Sequence, residues 1–324
     1  MGYLDEGRWI TTDQRPSGQF IRGDSQFRNW ITPDGAAGPS GTAGFKAEAG
    51  RYHLYVSLAC PWASRTLIFR SLKGLEAMVG LSVTNWLMGE HGWTFAPGDG
   101  VIPDRVNGVE FLYQLYARAD PRHSGRVTVP VLWDKQRHTI VNNESADIIR
   151  MFNSAFDGLG ARPGDYYPAP LRADIDRTNV RIYDTVNNGV YKAGFAGTQE
   201  AYAAAVAPVF ATLDWLEDHL ASRRFLVGDA PTEADWRLFT TLVRFDAVYY
   251  GHFKCNLRRL IDYPNVWSYT RELHQWPGIA ATVDLTHIKR HYYMSHRHIN
   301  PSGIVPVGPA LDFDAPLTRS FEAR

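Results

Sequence analysis

The sequence predicts a two-part chain: an α/β layer with a mixed sheet, followed by an all-α half. Three observations predict it. The order of patterns from residue 49 is strand, helix, strand, then two short strands joined by a charged turn, then a helix. A Pro/Gly-rich stretch (Pro163-Gly164-Asp165, Pro168-Ala169-Pro170) then separates that part from the rest. Beyond it, nearly every segment carries the spacing of an amphipathic helix. A chain of 324 residues has room for two domains.

Each element has a local chemical cause. Tyr52, Leu54 and Val56 alternate with His53 and Tyr55, which predicts a half-buried strand over 52–57. Pro61 then opens an amphipathic segment and Gly74 closes it, which predicts a helix over 61–73, since proline suits the first helical position and glycine commonly succeeds the last. A strand over 81–86 comes next. A long insertion comes after it, broken at Pro97-Gly98-Asp99-Gly100, with a helix expected over 109–118. Short strands at 130–133 and 139–141 flank a charged turn, and a helix runs over 145–153. A βαβ unit, a β-hairpin and a helix in this order make a thioredoxin-like layer. Helices are expected near 172–188, 199–222 and 232–248, with shorter pieces near 265–290, and Thr232-Glu233-Ala234-Asp235 reads as a capping box with Asp235 as the reciprocal acceptor.

The expected organisation is an extended N-terminal segment (1–48), an α/β domain (49–160), a linker (161–175), a helical domain (176–300) and an irregular tail (301–324). Within the lead-in, Phe20, Phe27, Trp30 and Ile31 are the residues that would dock on the body.

Composition excludes several function classes. Lys+Arg and Asp+Glu both number 34, which gives no electrostatic argument for nucleic acid or an anionic membrane. No apolar run approaches the ~20 residues of a membrane span. The opening residues carry neither the basic nor the apolar stretch of a secretion signal, and two cysteines in the whole chain suit a reducing compartment, so a cytoplasmic protein is expected. Aromatic residues make up 13%, with ten tryptophans, which serve packing first and could also stack on a flat substrate.

The chemistry centres on Cys60. The strand-to-helix turn Ser57-Leu58-Ala59-Cys60-Pro61-Trp62-Ala63 places this thiol at the N-cap, where unpaired backbone N–H groups and the helix dipole favour thiolate. Ala63 stands where a dithiol motif would place its second cysteine, so the covalent partner must come from outside the chain, and a small thiol is the obvious one. Cys255 lacks such a frame and reads as structural. His287, His291, His296 and His298 raise the question of a metal, but His287 and His291 at i,i+4 bring no His-Glu-x-x-His motif and no indicated third ligand, so no metal site is expected.

A monothiol turn on a thioredoxin-like layer with a helical half behind it resembles the cytosolic glutathione transferases. The likeness is carried by Cys60-Pro61-Trp62-Ala63, by Val129-Pro130 before a strand, by Glu144-Ser145 opening a helix, and by Gly228 through Thr232-x-Ala234-Asp235. It implies a glutathione-transferase-type C-terminal domain. Gly92-Trp93-x-Phe95, His291-Tyr292-Tyr293-x-Ser295-His296, Asn300-Pro301, Ile304-Val305-Pro306 and Gly308-Pro309, with Phe20-x-Arg22 and Phe27-Arg28-x-Trp30 in the lead-in, narrow the resemblance. Together they are similar to the glutathionyl-hydroquinone reductases, the Xi class.

That resemblance implies glutathione as co-substrate, glutathionylated hydroquinones as substrates, and a homodimer. It implies that Val129, in a cis X-Pro peptide, pairs with the tripeptide backbone, that Glu144 and Ser145 hold its γ-glutamyl end, and that Trp93 and Arg126 complete the site. Each has a plainer reading: Ser145 as a helix cap, Arg126 as a solvated charge, Trp93 as core. Tyr191 and Tyr292 are the implied hydroxyl donors around the hydroquinone, with Tyr293 a secondary candidate, and tethered packing tyrosines are the alternative. Two other functions stay in view: an omega-type thiol transferase or dehydroascorbate reductase, and a non-catalytic binding protein of the same fold.

Overall fold

The computed structural model describes residues 2–11 and 20–321. It divides into two compact units. The first takes in Gly23–Gly164, Thr282–Arg297 and the opening hairpin; the second takes in Asp165–Ala281, the tail from His298, and Phe20 and Arg22 of the lead-in. Residues 282–297, which the sequence pattern groups with the helical half, therefore pack with the α/β layer.

The first unit is built on a four-stranded sheet. Strands β1 (Tyr3–Asp5) and β2 (Arg8–Ile10) form a separate antiparallel hairpin. The main sheet contains β3 (Tyr52–Val56), β4 (Val79–Val83), β5 (Val131–Asp134) and β6 (Thr139–Asn142) in the order β4-β3-β5-β6. Strand β3 runs parallel to β4 and antiparallel to β5, and β5 is antiparallel to β6. This is the mixed sheet the element order predicts. Helix α1 (Pro61–Leu72) makes the crossover, and α3 (Ser145–Ser154) packs against it.

Helix α1 stops for an identifiable reason. Gly74 adopts φ +62°, Gly74 N donates to Ser71 O (3.1 Å) and Leu75 N to Arg70 O (2.8 Å). This pair of bonds is the Schellman closure, which satisfies the last carbonyls and favours glycine at the left-handed position.

Three expectations need correction. Strand β3 is buried along its full length rather than on one face. Tyr55 donates to Asp104 Oδ1 (2.8 Å) in the insertion and His53 Nε2 meets Ser82 Oγ (2.9 Å) in β4, so the polar atoms of the second face are satisfied as it is buried. Strand β4 begins at Val79 rather than 81; Gly80 pairs with His53 in it, and a Cβ there would lie 2.4 Å from the His53 ring. Residues 109–111 are not helical but run against residues 93–95: Phe95 N donates to Glu110 O and Leu112 N to Trp93 O (both 2.9 Å), and α2 starts at Tyr113 (Tyr113–Ala119) behind its N-cap Leu112.

The lead-in docks as expected where it is described. Ile31 is buried, Phe27 meets Tyr116 edge-on at 5.7 Å, and Arg28 forms an ion pair with Asp147 of α3.

The second unit is helical: α4 (Arg172–Ile182), α5 (Gly189–Gly194), α6 (Gln199–Ser222), α7 (Glu233–Leu242) and α8 (Pro264–His274). The expected continuous helices at 172–188 and 232–248 each break into a π turn, Tyr183–Asn187 and Phe245–Tyr249, closed by Asn188 N to Tyr183 O and Tyr250 N to Phe245 O (both 2.8 Å). A π turn inserts one residue, which rotates the downstream chain by roughly 100°. The predicted capping box is present: Thr232 N donates to Asp235 Oδ2 (2.7 Å), and the buried Asp235 also accepts from Leu226 N and Tyr269 OH. Arg319 pins the irregular tail through the carbonyls of Leu220 and Arg224 and an ion pair with Glu272 (3.0 Å). No helix among the described residues is long and apolar enough to cross a membrane.

Candidate functional site

Strand β3 delivers the chain to the turn, and Cys60 is the N-cap of α1, with Pro61 directly behind it. Its backbone is extended (φ −77°, ψ 121°), and its carbonyl accepts from Ser64 N at 2.9 Å, the first bond of the helix. The thiol itself makes no capping hydrogen bond to the helix N–H groups, contrary to the expectation that it faces them. Its Sγ lies 3.7 Å from Val129 O instead. Cys60 is half-buried.

Val129 lies immediately before β5, the strand antiparallel to β3, so it arrives at the end where β3 leaves for Cys60, and the Val129–Pro130 peptide is cis. It is buried, and its carbonyl reaches the cysteine. The structure thus brings together the first two residues singled out in the sequence.

Glu144 and Ser145 open α3, but with roles exchanged relative to a serine cap. Glu144 is the N-cap: its carboxylate accepts from Ala146 N (3.1 Å) and from Ser25 Oγ (3.0 Å). Ser145 is the first helical residue, almost fully buried, with its hydroxyl 3.4 Å from Arg65 of α1. Arg65 in turn lies over the Trp62 ring at 4.5 Å, so the cysteine helix and the carboxylate-bearing helix are tied near their N-termini. Sequence reasoning missed Arg65 and Ser25. Arg65 falls inside the Cys60 motif stretch, whereas Ser25 carries no local signal.

Trp93 belongs to the insertion and is 6% exposed, with its indole stacked on His291 at 4.7 Å and 21°. His291 sits on α9 (Leu285–Ser295), beside Tyr292. Its Nδ1 pairs with Trp86 O (2.8 Å), and burial lowers its basicity to about 4, so it is neutral at physiological pH. His287, one turn earlier, pairs with Asp99 O (2.6 Å). The i,i+4 histidines therefore engage carbonyls of the insertion. Among the described residues no group of three His, Cys, Asp or Glu side chains is arranged for a metal ion. Tyr292 is 1% exposed, edge-on to His291 and His296, while Tyr293 is half-buried; Arg126 is exposed.

Tyr191 belongs to the second unit. It sits on α5, directly after the π turn, within the rings of Phe20, Phe195, Tyr249 and Phe253.

The arrangement is one half-buried thiol at a helix N-terminus, a carbonyl beside it, and a second helix N-terminus bearing a carboxylate. Comparison with known proteins agrees. Residues 59–155 match the family described as glutathione S-transferase, N-terminal domain, and residues 199–272 the one described as its C-terminal domain. The chain is 57% identical over 313 residues to glutathionyl-hydroquinone reductase PcpF of Sphingobium chlorophenolicum, covering 96% of this chain and 97% of that one. It is 59% identical to glutathionyl-hydroquinone reductase YqjG of Escherichia coli over 98% of each chain, and the glutathione-bound YqjG structure superposes with a TM-score of 0.92 at 58% identity, covering 98% of this chain and 99% of that one. A Xi class glutathione transferase from Natrialba magadii superposes with a TM-score of 0.91 at 47% identity, covering 98% and 97%. The chain belongs to the glutathione transferases, in the Xi class of glutathionyl-hydroquinone reductases.

Proposed function

We propose that this protein reduces glutathionyl-hydroquinones to hydroquinones at the expense of glutathione, through a mixed disulfide on Cys60. The observation that carries the reading is Cys60 itself: a single half-buried thiol at the start of α1, 3.7 Å from the Val129 carbonyl, with Ala63 where a resolving cysteine would stand.

The reaction begins at the substrate ring. Protonation of the ring carbon that bears sulfur, with loss of a proton from a ring hydroxyl, gives a dienone-like tautomer. The Cys60 thiolate attacks that sulfur, the S–S bond forms, the carbon–sulfur bond breaks, and its electron pair restores the aromatic ring as a phenolate that takes up a proton. A second glutathione attacks the Cys60–glutathione disulfide, releases oxidised glutathione and returns the thiolate. The net change consumes one glutathione and one glutathionyl-hydroquinone and yields one hydroquinone and one glutathione disulfide.

The site residues take these roles. The Val129 backbone pairs with the cysteinyl part of glutathione; an N–H donor arriving there competes for the carbonyl that faces Cys60, leaving the sulfur to the helix dipole. Glu144 and Ser145 hold the γ-glutamyl end, Glu144 its ammonium and the α3 N-terminus its carboxylate. Trp93 and Arg126 pack on and pair with the rest. Tyr191 and Tyr292 donate to the hydroquinone and its departing ring, with Tyr293 beside them. We take the protein to be a cytoplasmic homodimer, in keeping with its low cysteine use and with the class it belongs to.

The test is a substrate contrast: glutathionyl-menadiol against a glutathione mixed disulfide. Turnover of the thioether with hydroquinone as product supports the reading. Turnover of the disulfide alone makes the protein a thiol transferase, and turnover of neither leaves a binding protein.

A further inference from the structure

Phe20 and Arg22 lie in the lead-in, far from the helical domain in sequence, yet they pack inside that unit. Arg22 is half-buried there, with its Cζ 5.1 Å from the centroid of the Tyr191 ring and 5.3 Å from that of Phe20. Its Nε donates to Asn188 Oδ1 at 3.0 Å, and Asn188 is itself buried. Asn188 and Tyr191 are three residues apart at the start of α5, so they share one helical face. One residue of the lead-in is therefore clamped by an amide and laid on the π face of the tyrosine next to it. Rings of Phe20, Phe195, Phe253 and Tyr249 also surround Tyr191, and Arg22 brings a formal charge to this aromatic cluster.

We propose that Arg22 is a positioning residue for hydroquinone release, acting through Tyr191: its guanidinium holds the ring and stabilises negative charge on the phenol oxygen as that oxygen gives up its proton. The inference rests on the assignment of Tyr191 as a donor. A cation over an aromatic face is attracted more strongly as the ring gains electron density, and a phenolate is richer than a phenol. A donor that parts with its proton more readily is the better acid for the ring carbon that is protonated before the carbon–sulfur bond breaks. Asn188 fixes the guanidinium, so the effect requires no reorganisation during the reaction. A strap that served packing alone would need only Phe20.

The test is a double-mutant cycle read on two reactions. Arg22→Gln is expected to slow glutathionyl-menadiol reduction by about five- to thirtyfold, the range of a partly desolvated cation–π contact. It should leave exchange with a glutathione mixed disulfide within about twofold, since that reaction needs no donor at a carbon leaving group. Arg22→Lys keeps the cation and should recover most of the rate. In a Tyr191→Phe background, Arg22→Gln should change the rate by less than about twofold, because the oxygen it acts on is gone. Equal losses in both reactions, no rescue by lysine, or an undiminished Arg22→Gln effect in the Tyr191→Phe background would overturn the proposal and leave Arg22 a packing residue. A Tyr191→Phe enzyme with an undiminished thioether rate is a different failure: it removes the tyrosine's role, and the one assigned to Arg22 falls with it.

Discussion

The two cysteines of this chain sit in opposite environments. Cys60 is half-buried at the N-cap of a helix, with Pro61 behind it and its sulfur 3.7 Å from a carbonyl. Cys255 is fully buried, its sulfur 3.9 Å from the Phe253 carbonyl, and burial pushes its thiol up to about 12. Each thiol therefore has a carbonyl acceptor. The difference lies in what else surrounds the sulfur: a helix end and partial exposure in one case, complete burial in the other. A thiolate needs the first. One turn of chain thus sets two identical side chains in different surroundings.

The contrast breaks first under deletion. Cys60→Ala should reduce glutathionyl-hydroquinone turnover by at least about a thousandfold, as loss of a nucleophile does. Cys255→Ala should keep activity within about twofold once folding is checked. A Cys60→Ala protein with substantial activity, measured by hydroquinone release, would dissolve the distinction.

The next largest effect separates the sulfur from the groups that serve the leaving ring. Tyr191→Phe and Tyr292→Phe should each raise the barrier to thioether cleavage by about 2.7–4 kcal/mol, the usual cost of losing a positioned donor. Disulfide exchange at Cys60 should be largely spared, because a thiol departs without such help. Parallel assays of both reactions decide it, and equal losses would make these tyrosines packing residues.

A smaller effect concerns the co-substrate. Glu144→Ala should weaken glutathione binding by about 1–3 kcal/mol in calorimetry if its carboxylate holds the ammonium end. Since Glu144 also accepts from Ala146 N, part of the change will appear as stability, and a thermal melt separates the two. Unchanged affinity in a folded variant would leave Glu144 a helix cap.

The smallest effect falls on Cys255. Its folded-state value of about 12 lies above the ordinary thiol value, so the folded chain keeps this proton where the unfolded chain releases it. The stability this provides is complete below about pH 9 and declines as pH rises towards 12. The slope cannot exceed about 1.4 kcal/mol per pH unit for one group. Chemical denaturation at pH 8 and pH 10 should show a steeper loss in the parent protein than in Cys255→Ala, and identical slopes would contradict the buried environment.

Legibility in the sequence divides along the same line, between local and non-local causes. The turn at Cys60 is legible because Pro61 and Gly74 each act on their own backbone, and the capping box at Thr232 and Asp235 is legible because both partners lie within one turn. The second buried face of β3 is not, since it depends on Asp104 and Ser82 reaching His53 and Tyr55 across tens of residues. The non-helical run at 109–111 is set by pairing with residues 93–95, which overrides its helical pattern. The hairpin of β1 and β2 turns on Glu6 and Gly7, both at positive φ, where an Asn-Gly pair would have announced it. In the site, Cys60 and Val129 are visible as motifs, while Arg65, Ser25 and the stacking of Trp93 on His291 arise only from packing.

The central claim is a mixed disulfide on one named sulfur, and a single turnover tests it directly. Enzyme mixed with one equivalent of glutathionyl-menadiol, with no free glutathione, should release one equivalent of menadiol. Intact-protein and peptide mass spectrometry should then find one glutathione, on Cys60, removable by added glutathione. Release of menadiol with no adduct, or an adduct on Cys255, would contradict the account.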